Sequence, residues 1–91
     1  MMQSSSVVPV KDIVFTDFEG GEAVLVDLNT TKYYQLNETG ALIWRRLESG
    51  STIEEIVAEM QSVYEVSAEH ALASIERLVQ SLESNKLVKR G

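Results

Sequence analysis

The side chains of this sequence most able to do chemistry are its carboxylates and a single histidine. The 91 residues include 14 acidic residues, one histidine and no cysteine. Disulfides, thiolate zinc sites, iron–sulfur clusters and thiol nucleophiles are therefore excluded. His70 stands beside Glu69 at the start of a helical pattern, without further histidines spaced to complete a metal site. The sequence predicts neither a metal nor a cofactor.

The carboxylates have local roles rather than the arrangement of an acid–base pair. Glu54 and Glu55 fall in a first helical turn, where the helix dipole favours negative charge. The other helical glutamates fall on polar faces and are typical of solvated surface: Glu59, Glu69, Glu76 and Glu83. No pair of carboxylates is flanked by a nucleophile or by a loop that could enclose a substrate. We therefore expect a protein that is not an enzyme.

Charge also restricts the partners. The formal net charge is −6, with 8 basic residues, and such a surface repels nucleic acid unless its cations cluster. The local clusters are Arg45 with Arg46, and Lys86 with Lys89 and Arg90. They are small, so we expect no nucleic-acid partner.

The chain shows no membrane or secretion signal. Its apolar runs are far shorter than the roughly 20 residues that span a bilayer. Its first residues lack the basic and apolar regions of a secretory signal. We therefore expect no membrane partner and a cytoplasmic location.

Alternating apolar residues predict three short strands within residues 12–36. The last of them, Lys32–Leu36, is rich in β-forming residues. The glycine pair Gly20-Gly21 and the polar run 27–31 supply the turns, with Asn29 as the expected left-handed residue. The three segments predict an antiparallel meander.

Helical spacing of apolar residues predicts three helices, near 38–48, 52–64 and 67–85. Asn37 is a good N-cap for the first helix. Trp44 lies in that helix among aliphatic residues, so we expect it in the core. Either Ser51 or Thr52 can begin the second helix with a capping box, because each has a glutamate three residues later.

The expected organisation is one domain over residues 12–91 after a flexible tail over residues 1–11, which is polar and holds the only proline. The apolar pair Leu87-Val88 should pack against the core. The fold class is α+β: a small winged-helix-like domain in which a three-stranded antiparallel meander precedes three helices.

Two runs of sequence suggest a family. The meander is followed by L-N-E-T-G-A-L-I-W at 36–44 and G-S-T-I-E-E-I-V at 50–57, then by Tyr64 and a final apolar helix. This order resembles PqqD and the wider class of precursor-peptide recognition elements used in ribosomal peptide modification. The resemblance covers roughly residues 12–90.

The resemblance implies a peptide chaperone without chemistry of its own. Family members bind the leader of a precursor peptide as an added strand, beside the third helix, and present it to a modifying enzyme such as a radical-SAM protein. An edge strand suits this role because its unpaired backbone groups accept any sequence. Carried onto this chain, the resemblance gives a peptide-binding site of Lys32, Tyr33, Tyr34, Gln35 and Leu36 in the strand, and Ile75, Leu78, Val79 and Leu82 in the helix.

Two other functions fit the same pattern. A winged-helix transcription regulator would use the third helix as its recognition helix. It is disfavoured because that helix carries Glu69, Glu76 and Glu83 against one arginine, Arg77. A small accessory module could instead use the edge strand to form a homodimer.

Overall fold

The chain order places the strands of the meander before the helices. The computed structural model describes residues 7–90 and contains strands β1 (Val7–Pro9), β2 (Ile13–Asp17), β3 (Ala23–Asp27), β4 (Lys32–Leu36) and β5 (Val88–Arg90), and helices α1 (Glu38–Glu48), α2 (Ile53–Tyr64) and α3 (Ala68–Ser84). A 3₁₀ turn at Glu19–Gly21 joins β2 to β3. The predicted α+β class, with a meander followed by three helices, is confirmed.

The meander forms an antiparallel sheet in the order β2-β3-β4. Leu25 at its centre pairs with Phe15 on one side and with Tyr34 on the other. Ala23 and Leu25 are fully buried, whereas Val24 and Val26 on the opposite face are partly exposed. The period-2 pattern therefore corresponds to one face on the core and one toward solvent.

The expectation of a flexible tail over residues 1–11 is wrong for residues 7–9, which form strand β1. Val7–Pro9 pairs with β5 in a separate two-stranded antiparallel sheet, in which Val7 lies opposite Arg90. Val7 is buried and belongs to the core. Residues 7–9 are thus part of the folded unit, and residues 1–6 lie outside the described residues. Leu87 and Val88 are buried, as expected.

The turn between β3 and β4 differs from the expectation in its left-handed residue. Thr31 takes the positive φ, at 58°, rather than Asn29. The Asp27 carboxylate accepts the Asn29 amide at 2.9 Å, and the Asp27 carbonyl accepts the Thr31 amide at 2.7 Å. These two bonds fix the path of the turn, so its left-handed residue comes last.

Each helix begins at a side-chain cap. Asn37 Oδ1 accepts the Gly40 amide at 2.8 Å, and Ser67 Oγ accepts the His70 amide at 3.0 Å. Thr52 Oγ1 accepts the Glu55 amide at 3.2 Å, while the Glu55 carboxylate accepts the Thr52 amide at 2.8 Å. Of the two possible registers, the capping box therefore uses Thr52.

Helix α1 lies in the core, as the aliphatic residues around Trp44 in its sequence predict. Trp44 is fully buried. It belongs to one cluster that includes Leu25 of β3, Ile56 of α2 and Ile75 of α3. The sheet and all three helices therefore contribute side chains to one core.

The contribution of the Thr52 capping box to stability can be tested by substitution. Thr52→Ala should lower the free energy of unfolding by about 1 kcal/mol, because the Glu55 amide loses its acceptor. Ser51→Ala is the matched control and should change it by only a few tenths. Urea unfolding of both variants measures the difference. Equal losses would show that the box does not depend on Thr52.

Candidate functional site

Strand β4 is the edge of its sheet and, among the described residues, pairs with β3 alone. The Asp27 carbonyl faces the β4 side, where it accepts the Thr31 amide. Lys32 pairs with Asp27, so the backbone amide and carbonyl of Lys32 point toward β3. Since backbone groups alternate in direction along a strand, the amides and carbonyls of Tyr33 and Gln35 point away from the sheet. This edge can accept another strand.

Helix α3 lies beside this edge. The Tyr34 hydroxyl donates to Ser81 Oγ at 2.7 Å and so joins strand to helix. Two depressions flank this contact, with volumes of about 400 and 350 Å³. We call them together the β4–α3 groove.

Tyr34 lines both depressions of the groove. The first is also lined by Asn37, Thr39, Gly40, Ile43, Ser74, Arg77, Leu78 and Ser81. The second is also lined by Asp27, Thr30, Lys32, Tyr33, Ser84, Asn85, Lys86 and Leu87. The groove therefore combines apolar, hydroxyl and cationic groups along an open sheet edge.

The junction between β4 and α1 brings the helix close to the strand. A Cβ atom placed on Gly40 would lie 3.2 Å from Leu36 Cδ2 and 3.3 Å from Asn37 Oδ1. A larger residue would press on both the strand end and the helix cap. Gly40 thus allows the first turn of α1 to form one end of the groove.

The predicted strand residues fall into different environments. Tyr33 is 78% exposed, whereas Tyr34 is half-buried and turned toward α3. Lys32 and Gln35 are exposed. Leu36 is 3% exposed, so its side chain belongs to the core and does not line the groove.

The predicted helix residues need a correction. Ile75, Val79 and Leu82 have no exposed surface and lie in the core cluster. They are therefore inaccessible to a ligand in this fold. Leu78 is half-buried and lines the first depression. It is the one member of the predicted helical set that faces the groove.

Sequence reasoning missed the polar flank of α3. Ser74, Arg77, Ser81 and Ser84 recur at intervals of three or four residues and line the groove. Such spacing puts them on one side of a helix. The sequence held no distinctive signal for them, because polar residues beside an apolar stripe are also typical of the solvated face of a helix.

The described residues contain no group of three or more histidine or acidic side chains that could hold a metal ion. Within the same part of the chain, no helix combines the length and apolarity needed to cross a membrane.

The arginine pair of α1 is engaged in ion pairs, because Arg45 contacts Asp17 at 3.3 Å and Arg46 contacts Glu59 at 2.9 Å. These two arginines therefore do not form an open cationic patch.

The family model described as coenzyme PQQ synthesis protein D (PqqD) matches residues 22–88. The chain belongs to the PqqD family. The match includes β3, β4, all three helices and the start of β5, so it spans the whole β4–α3 groove. No curated protein matches the chain significantly.

Two solved structures are similar to this PqqD-family chain. TbiB1 in complex with the TbiA(beta) leader peptide is 27% identical with a TM-score of 0.82, over 89% of this chain and 93% of that one. Lasso peptide synthetase B1 complexed with the leader peptide is 32% identical with a TM-score of 0.82, over 91% of this chain and 96% of that one. Both similarities extend over nearly the full length of the proteins compared.

Proposed function

We propose that this chain is a peptide-binding carrier that captures the leader of a ribosomally made precursor peptide. The observation that carries the proposal is the open edge of β4 beside a groove, with the backbone groups of Tyr33 and Gln35 turned outward. Membership of the PqqD family supports it. So do the two similar proteins, each of which holds a leader peptide.

The geometry suits strand addition. The backbone of a leader can pair with the outward amides and carbonyls of Tyr33 and Gln35, which requires no particular leader sequence. Alternate leader side chains then enter the groove, because successive side chains of a strand point to opposite faces. Leu78 and the ring of Tyr34 offer apolar contacts there. Backbone pairing supplies affinity, and the groove supplies selectivity.

We propose that the chain has no catalytic role and acts by presenting the bound leader to a modifying enzyme. Two classes of enzyme have separate support. A radical-SAM protein follows from the PqqD resemblance, and a lasso peptide synthetase is favoured by the 32% identity to a synthetase B1 protein. Pull-down of each candidate enzyme with the leader-loaded chain distinguishes the two.

The alternative functions use the same surfaces differently. In a transcription regulator, DNA would approach α3, whose three glutamates repel phosphate. In a homodimer, the β4 edge of one copy would pair with that of another, so leader binding and dimerisation would compete. Sedimentation of the chain with and without leader separates a dimer from a carrier.

The half-buried leucine of the groove gives a direct test. Leu78→Gln should weaken leader binding about three- to tenfold, because an apolar contact is replaced by a polar group. The fold should persist. Fluorescence anisotropy with the labelled leader of a candidate precursor peptide measures the affinity.

Two variants in the same helix complete the test. Leu72→Gln, at a position 43% exposed and absent from the groove lining, should bind like the parent. Leu82→Gln should destabilise the whole domain, because it buries an amide in the core. Parent-like affinity in Leu78→Gln would remove this residue from the site.

A further inference from the structure

Helix α3 carries its acidic side chains and its arginine on different sides. Its three glutamates, Glu69, Glu76 and Glu83, recur every seven residues and therefore share one face. None of them lines the groove. The charged side chain that α3 does contribute to the groove is Arg77. An acidic helix thus presents a cation where a ligand would lie.

The second depression is also cationic. Lys32 of β4 and Lys86, just after α3, both line it. Asp27 is the acidic residue in that lining, and its carboxylate already accepts the Asn29 amide at 2.9 Å. Among the described residues, no ion pair within 4 Å engages Lys32, Lys86 or Arg77. These cations are available to a ligand.

We propose that the β4–α3 groove selects an acidic peptide segment, with one carboxylate near Arg77 and another near Lys32 and Lys86. This inference rests on the proposed function and specifies the chemistry of the leader. It explains how a chain with a net charge of −6 can attract an acidic ligand, because a local cluster of cations in a concave surface focuses the field. Arg77 can also bind a carboxylate through two parallel hydrogen bonds.

The separation of the cations sets the spacing of the carboxylates. Positions 77 and 84 of α3 are about 10 Å apart along the helix axis, at 1.5 Å per residue, and Lys86 lies just beyond. An extended peptide advances about 3.3 Å per residue. The two carboxylates should therefore stand roughly three to five residues apart in the leader. Because the cations are exposed at the surface, the preference should weaken with added salt.

A selection experiment tests the inference without a known leader. The full chain is immobilised and used to select from a random 12-residue mRNA-display library at low salt. We expect the selected peptides to contain more Asp and Glu than the input, in pairs three to five residues apart. The double variant Arg77→Gln/Lys86→Gln should lose this bias and bind the most enriched acidic peptide about five- to tenfold more weakly.

A charge-matched variant provides the control. Gln61→Glu/Gln80→Glu changes two exposed positions outside the groove lining and brings the same change of −2 in net charge. It should keep the acidic bias and lose less than twofold in affinity. Selection of peptides without acidic bias, or equal losses in the two double variants, would overturn the inference and leave the proposed function intact. Failure to enrich any peptide would contradict both.

Discussion

Trp44→Ala is expected to lower the free energy of unfolding by about 3–5 kcal/mol, the usual cost of removing a fully buried aromatic side chain. Trp44 has no exposed surface and contacts the core from the central helix. Small domains have a total stability of about 5–15 kcal/mol. The variant should therefore be largely unfolded or strongly destabilised. Urea unfolding followed by circular dichroism gives the loss.

Trp44→Phe is the informative control for that substitution. The indole Nε1 of Trp44 is buried and has no hydrogen-bond partner among the described residues. Phenylalanine retains an aromatic ring and removes this unpaired donor, whose burial is itself unfavourable. We expect a clearly smaller loss than in Trp44→Ala. An unfolding curve of the alanine variant that overlays the parent would place Trp44 outside the energetic core.

Gln35→Pro is expected to weaken leader binding about tenfold or more. The Gln35 amide points outward from β4, and proline removes this donor and restricts the strand geometry. Loss of one backbone hydrogen bond costs roughly 0.5–1.5 kcal/mol, and any distortion of the edge adds to it. Anisotropy titration of the labelled leader measures the change in Kd, with a thermal melt to verify the fold.

A proline substitution on the other edge strand, β2, is the matched control. Asp17 pairs with Ala23, whose backbone faces β4, so the Asp17 amide points outward from β2. Asp17→Pro also loses an exposed ion pair with Arg45, which contributes little to stability. We expect this variant to bind the leader normally. Similar losses in both variants would mean that the effect comes from general damage to the sheet rather than from the β4 edge.

Local signals in the sequence predicted the elements that form this site. Asn37, Thr52 and Ser67 begin the three helices through the side-chain bonds that their residue types predict. The alternation before Asn37 predicted the three strands, and the resemblance to PqqD added that Lys32–Leu36 is the strand open to a peptide. These features depend on neighbours within a few residues, so one sequence is sufficient to predict them.

The pairing of the two chain ends was not predictable in this way. Strands β1 and β5 have three residues each, too few for an alternation pattern to be distinctive. Pro9 and the serines before Val7 are typical of a tail. The pairing is stabilised by contact between residues some 80 positions apart, and no local preference indicates such a contact.

The orientation of α3 shows a second limit. Periodicity predicts that Ile75, Leu78, Val79 and Leu82 lie on one apolar side of α3. This apolar side is broader than the part of α3 that the core covers. The packing of α3 against the core decides that Leu78, at the border, faces the groove while the other three are enclosed. Without that geometry, the groove-lining serines and Arg77 read as ordinary surface.

A chemical-shift titration tests the central claim most directly. The labelled chain is titrated with the leader of a candidate precursor peptide, and amide shifts are followed residue by residue. Strand addition predicts shifts concentrated on residues 32–36 and on the groove-facing positions of 74–86, with the outward amides of Tyr33 and Gln35 among the largest. Shifts confined to the opposite surface of the domain, or no binding at high leader concentration, would contradict the carrier function.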